Sequence, residues 1–289
     1  MRSNKPRYLR FIDKALKIAR ILPKYSSKYS RKDFTQHQLM TLYILKQKSK
    51  LSYADFVEDF RVRDSAIEEL GMDKVPSPST LKMFIKRVSP QLLEKMIADC
   101  DRSDDNVDTA VDATGFSLED GSYHYVRRIG LASKRRKNAK LSGCVDTDRH
   151  LFLSVKLRKN RRHDIVDYKT LIRKVYRNSD IEIRVCTADK AYDSEENHEF
   201  ANEMGYKHIA PLKNDVPVRR TKGRFRKKLR REFPKETYNR RSIIESMFYC
   251  VKNLCGKVIK AKKWITQKKE LLGKVLAYNI HRLVQLARV

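Results

Sequence analysis

The spacing of apolar residues changes at the polar stretch Asp101–Asn106, and this change restricts the fold more than any other feature. Before it, the spacing is helical. Leu9, Ile12, Leu16 and Ala19 recur at three- and four-residue steps until Pro23 stops the run. Thr35 can cap a second helix carrying Leu39, Leu42, Tyr43 and Leu45, and Ser52 a third with Phe56 and Phe60 inward. A short helix from Asp64 to Leu70 ends at Gly71. Ser77 followed by Pro78 starts a helix through Val88, and Pro90 starts another to about Cys100. After the change, Val107, Thr109 and Val111 alternate with Asp108, Ala110 and Asp112, as in a strand. Ser122–Ile129, Ala139–Val145 and Leu151–Leu157 are further strand candidates.

A helix from Asp164 to Tyr176, a strand through Ile181, Ile183 and Val185, a helix from Glu195 to Met204 and a strand from Tyr206 to Leu212 follow. Consecutive strands and then alternating helices and strands predict an α/β mixed sheet flanked by helices, preceded by an all-helical N-terminal domain. The expected domains are 1–103 and 104–289. The second carries a basic loop near 213–235, where Arg219–Arg231 holds nine Lys or Arg in thirteen residues. A helix from Tyr238 to Leu254 and an amphipathic helix with Leu271, Leu272, Val275, Leu276, Ile280, Leu283 and Leu286 close the chain.

Charge narrows the partner. The 289 residues hold 65 Lys and Arg against 35 Asp and Glu, a net charge of +30. A field of that sign recruits polyanions, and double-stranded DNA is the expected partner. Anionic membrane is the rival, but no basic amphipathic anchor or lipidation motif is present, so no membrane partner is expected. Cys100, Cys144, Cys186, Cys250 and Cys255 match no zinc spacing and read as reduced thiols. The basic N-terminus is not followed by a long apolar run, and no stretch has the length of a membrane span, so a cytoplasmic, nucleoid-associated protein is expected.

Tyr238, Arg241, Glu245 and Lys252 fall within a sector of roughly 60° if the segment is one helix. An acid, two cations and a phenol on one stripe make a poor core and a good place to hold a metal ion beside a phosphate. Asp112 is expected at the end of the first strand and Asp189 at the end of a later one, where ligand sites gather in open α/β sheets. Three convergent carboxylates would repel one another unless a cation joined them, and hard oxygen ligands suit Mg²⁺ or Mn²⁺. Asp108 shares a strand face with Asp112 but is not followed by Thr-Gly, and Asp193 can be a helix cap; both are read as structural.

These residues resemble the DDE transposases of prokaryotic insertion sequences, in the group containing insertion sequences four and five. The signature Tyr-x2-Arg-x3-Glu-x6-Lys is matched by Tyr238, Arg241, Glu245 and Lys252. Val111–Gly115 is similar to the motif around the first catalytic Asp, and Ala188–Ser194 to that around the second, with Ala191 where Gly is usual. The resemblance implies an RNase H-like catalytic domain. It implies that Asp112, Asp189 and Glu245 bind the metal ions and are catalytic, and that Tyr238, Arg241 and Lys252 bind DNA. One site would then cut the phosphodiester at a transposon end and join the 3′-OH to target DNA. Synapsis of two ends implies at least a homodimer on DNA.

Other readings stay open at this stage. A domesticated nuclease would cut without transposing, and a non-catalytic DNA-binding protein would have no use for three acids facing a phosphate. Arg241 and Glu245 can be an ordinary i,i+4 pair, and Tyr238 an ordinary packed ring. Residues 77–88 are either the reading helix of a helix-turn-helix, with Ser79, Thr80, Lys82, Lys86 and Arg87 available, or a bundle element.

Overall fold

A computed structural model describes residues 5–100, 106–118, 138–159, 163–214 and 217–287. The expected strand Ser122–Ile129 lies outside the described residues. The chain divides into two compact units, Met1–Cys100 with Val251–Val289, and Asp101–Cys250. The final segment therefore groups with the N-terminal helices, whereas the sequence reading kept 104–289 together.

The first unit is helical: α1 (Arg7–Ala19), α2 (Gln36–Ser49), α3 (Tyr53–Arg61), α4 (Asp64–Glu69), α5 (Pro78–Arg87) and α6 (Pro90–Ala98). The predicted starts hold. The Thr35 side chain accepts from the Gln38 N–H in a full capping box, and Ser52, Ser77 and Ser89 each accept an N–H from the first turn they precede. The C-terminal helix, Trp264–Leu286, joins them because every residue from Lys269 to Ile280 is buried. Burying Leu271, Leu272, Leu276 and Ile280 contributes roughly 1.5–3 kcal/mol each. Gly273 permits close approach: a Cβ there would lie 2.8 Å from the ring of Tyr43, whose hydroxyl donates to the Lys269 carbonyl at 2.7 Å.

The second unit is built on β1 (Val107–Leu118), β2 (Asn138–Asp146), β3 (Leu151–Arg158), β4 (Ile183–Ala188) and β5 (Lys207–Ile209), in the order β3-β2-β1-β4-β5. β2 runs antiparallel to β1 and β3, and β1, β4 and β5 are parallel. This is the mixed sheet flanked by helices that the sequence predicts. Helix α7 (Ile165–Asn178) packs on β2 and β3, and α8 (Glu195–Glu203) on β5. Val111, Cys144, Leu153, Tyr168, Leu171, Ile172, Cys186 and Phe200 belong to its core.

Three local expectations are revised. β1 does not end at Asp112 but runs on to Leu118, because Thr114 and Gly115 keep the ladder to Leu141 and Lys140. Residues 213–235 are not simply a loop: they include a turn of 3₁₀ helix at Val218–Arg220 and helix α9 (Arg224–Arg231). The signature segment is two helices, α10 (Lys235–Asn239) and α11 (Ser242–Cys255). Between them the bonds tighten to the i→i−3 pattern: the Arg241, Ile243 and Ile244 N–H groups donate to the Tyr238, Arg240 and Arg241 carbonyls.

Candidate active site

Parallel pairing of β1 with β4 ends at the Val111–Ala188 rung. The next residue on each strand is Asp112 and Asp189, so the two acids stand on adjacent chains where β4 leaves the sheet. Neighbouring strands lie about 4.8 Å apart. The Asp112 Oδ1 accepts the Ala113 N–H at 2.8 Å, and the Asp189 Oδ1 accepts the Lys190 N–H at 2.6 Å. Each carboxylate is thereby oriented by its own backbone. Asp112 is thus not at its strand's end, although it is at the end of the β1–β4 pairing.

Arg241 links Asp112 to Glu245. Its guanidinium lies 3.4 Å from the Asp112 Oδ2 and 2.8 Å from the Glu245 Oε1, and 5.9 Å from the ring centre of Tyr238. The break between α10 and α11 therefore leaves Tyr238, Arg241 and Glu245 neighbours, by the tight turn and not by one continuous helix. Lys252 stands two turns beyond Glu245 on α11, in the segment grouped with the first unit. Burial pushes its pKa below the ordinary lysine value.

Burial raises the Asp112 pKa above its usual value; the Ala113 N–H and Arg241 oppose this, and the charges of Asp189 and Glu245 add to it. Asp189 and Glu245 both therefore lie within electrostatic reach of Asp112. Among the described residues, no group of three His, Cys, Asp or Glu could hold a metal ion as the side chains stand. Asp112 and Asp189 are adjacent through the strand register, whereas the positive charge of Arg241 stands between Asp112 and Glu245. The Glu245 side chain is 56% exposed and has room to change rotamer. Carboxylate oxygens are the hard donors that a divalent cation takes, so these side chains suit one in their chemistry although they do not stand as one ligand set.

The two decoys are structural. Asp108 is buried and takes both Arg184 nitrogens at 2.8 Å and the Arg240 Nη1 at 3.0 Å. Arg240 also contacts Asp148, so consecutive arginines serve different acids. Asp193 closes the 3₁₀ turn Lys190–Tyr192 while Ser194 caps α8, and the Asp193 carboxylate accepts from two Arg226 nitrogens at 2.7 Å and from the Lys213 N–H at 2.9 Å. The Glu195 carboxylate accepts the Phe225 and Arg226 N–H groups, at 2.9 and 3.2 Å. These contacts fix basic helix α9 to the loop four residues after Asp189, which the sequence reading missed because the partners are thirty residues apart. Tyr192 was also missed: it is buried, within electrostatic reach of Asp112 and Asp189, and burial raises its pKa.

The family model described as "Transposase DDE domain" matches residues 104–280. The chain belongs to this transposase family. The match contains Asp112, Asp189, the bridging Arg241, Glu245 and Lys252. Among solved structures, the chain is similar to a piggyBac transposase synaptic complex with hairpin DNA. The likeness covers 99% of this chain and 76% of that one, at 10% identity and a TM-score of 0.48. No curated protein matches the chain. Among the described residues, no helix is long and apolar enough to cross a membrane.

Proposed function

We propose that this member of the transposase family cuts phosphodiester bonds at the ends of an insertion sequence and joins the freed 3′-OH to target DNA. The observation that carries this reading is the position of Asp112 and Asp189, each one residue beyond the last β1–β4 rung, with Arg241 linking Asp112 to Glu245. Asp112, Asp189 and Glu245 would hold Mg²⁺ or Mn²⁺. Bound there, such ions supply Lewis-acid stabilisation of the attacking and leaving oxygens of a phosphodiester.

The remaining chemistry belongs to the chain. The Ala113 and Lys190 N–H groups preset the two Asp carboxylates. Arg241 is a charge-assisted donor that can exchange a carboxylate for a phosphate oxygen, and Lys252 is a second cation on the same helix. Tyr238 offers a ring face, already approached by Arg241 and edge-on to Phe233 at 5.2 Å. Helix α9 places Arg224, Lys227, Lys228, Arg230 and Arg231 together as a basic surface for backbone contacts. Joining two ends requires at least two copies on DNA.

The test is cleavage and strand transfer on DNA carrying the element's own ends, with Mg²⁺. Asp112→Asn, Asp189→Ala and Glu245→Gln should each abolish both reactions while leaving DNA binding intact. An Asp189→Ala protein that cuts and joins at the wild-type rate overturns the proposal.

A further inference from the structure

The first unit holds a pocket among its helices. That pocket, about 370 Å³, is lined by α2, α3, α5 and the start of the C-terminal helix. Five lysines face it: Lys46, Lys82, Lys86, Lys260 and Lys269. The acid among its lining residues is Glu270, whose oxygens accept the Lys260 and Ala261 N–H groups at 2.9–3.2 Å. Glu270 also faces Lys274 at 3.7 Å.

Two of these cations have structural duties. Lys269 donates to the Ile85 and Lys86 carbonyls at 2.9 and 2.7 Å, and so closes the end of α5. Lys260 donates to the Lys50 carbonyl at 3.1 Å. Of the other three, Lys46 is the buried one. It is 6% exposed, yet among the described residues its Nζ has no hydrogen bond or ion pair, only the face of Tyr53 at 4.7 Å. Lys82 lies over the same ring at 5.7 Å. A buried ammonium without an acceptor is costly, and a cation–π contact offsets part of that cost. Burial accordingly lowers the Lys46 pKa, and its lysine neighbours Lys260, Lys274 and Lys82 lower it further against the opposing charge of Glu270. Lys82, Lys86 and Lys260 are exposed at the rim. A compact anion would give the buried ammonium its acceptor and neutralise the rim.

We propose that this pocket is a phosphate site: Lys46 at its base, with Lys82, Lys86 and Lys260 at its mouth, grips one backbone phosphate of the DNA. The assignment deepens the transposase reading, since it rests on DNA being the partner. It gives α5 a role as phosphate anchor that requires no base readout.

The experiment compares the full-length wild type with Lys46→Met, which keeps the stem and removes the charge, and with Lys82→Ala/Lys86→Ala, whose side chains are exposed and do not support the core. Fluorescence anisotropy with a labelled duplex of arbitrary sequence is measured across a salt series, and thermal melting with and without inorganic phosphate. Lys46→Met should bind DNA several-fold more weakly, with a salt slope smaller by about 1. The wild type should melt higher in phosphate, and Lys46→Met should lose that response without melting lower in its absence. Lys82→Ala/Lys86→Ala should also weaken binding. A Lys46→Met protein that binds DNA with wild-type affinity and slope overturns the proposal. So does one that melts lower and keeps its phosphate response, which marks a structural lysine. Loss of cutting by the wild type would sink the catalytic reading and leave this result standing.

Discussion

Arg226→Ala should unfold the second unit at a distinctly lower temperature, because it strands a charge. The Asp193 side chain is fully buried, and three N–H donors hold it: two from Arg226 at 2.7 Å and one from Lys213 at 2.9 Å. Removing Arg226 leaves one donor for a buried carboxylate. Breaking a buried pair from one side costs about 3–5 kcal/mol. The Arg226 side chain is 20% exposed, so water can reach the vacated position and the lower end applies, about 3 kcal/mol. For a protein of this size each kcal/mol moves the melting point by about 2–4 °C, which predicts a drop of about 6–12 °C. Calorimetry or near-ultraviolet circular dichroism would measure it. Asp193→Asn/Arg226→Ala removes the orphan charge and keeps an acceptor for Lys213, so it should recover at least half of the loss. An Arg226→Ala melting point within about 1 °C of wild type, or a double variant no better than the single, would refute the reasoning.

Two further outcomes follow. Asp112→Asn should raise the melting point of the metal-free protein near neutral pH. With its folded pKa raised, Asp112 contributes stability that is full below the ordinary carboxylate pKa and is lost as pH rises through the raised value, so the gain should shrink toward about pH 4. Melting curves across pH check it, and a gain that grows in acid contradicts it. Gly273→Ala should destabilise the helical unit by about 1–3 kcal/mol, since the new Cβ meets Tyr43 at 2.8 Å; urea unfolding reads the loss.

Much of the fold was legible because local chemistry and global packing agree. Thr35, Ser52 and Ser77 each start the helix that their side chains predict. Strand alternation located β1, and the order of elements gave the mixed sheet. Failures came where tertiary contacts outvoted local pattern. Asp112 reads as the end of its strand, yet pairing with β2 keeps the chain extended through Thr114 and Gly115. The stripe from Tyr238 to Lys252 reads as one helix, yet the chain tightens at Arg240, whose side chain reaches Asp108 and Asp148. Residues Leu39–Gln47 show little helical periodicity of burial because α2 is covered on all sides, which hides Lys46 as an ordinary surface charge. The nearness of Asp112 to Asp189 was legible from strand position and that of Arg241 to Glu245 from i,i+4 spacing; the reach of Arg241 to Asp112 was not, because its partners are 129 residues apart.

Titration of the wild type, Asp112→Asn, Asp189→Asn and Glu245→Gln with Mn²⁺, followed by calorimetry and by the electron paramagnetic resonance of the free ion, tests the shared cation site without relying on activity. The account predicts saturable binding by the wild type and a loss of about tenfold or more in each variant. Equal binding by all four proteins, or loss in some with Glu245→Gln unaffected, would contradict it.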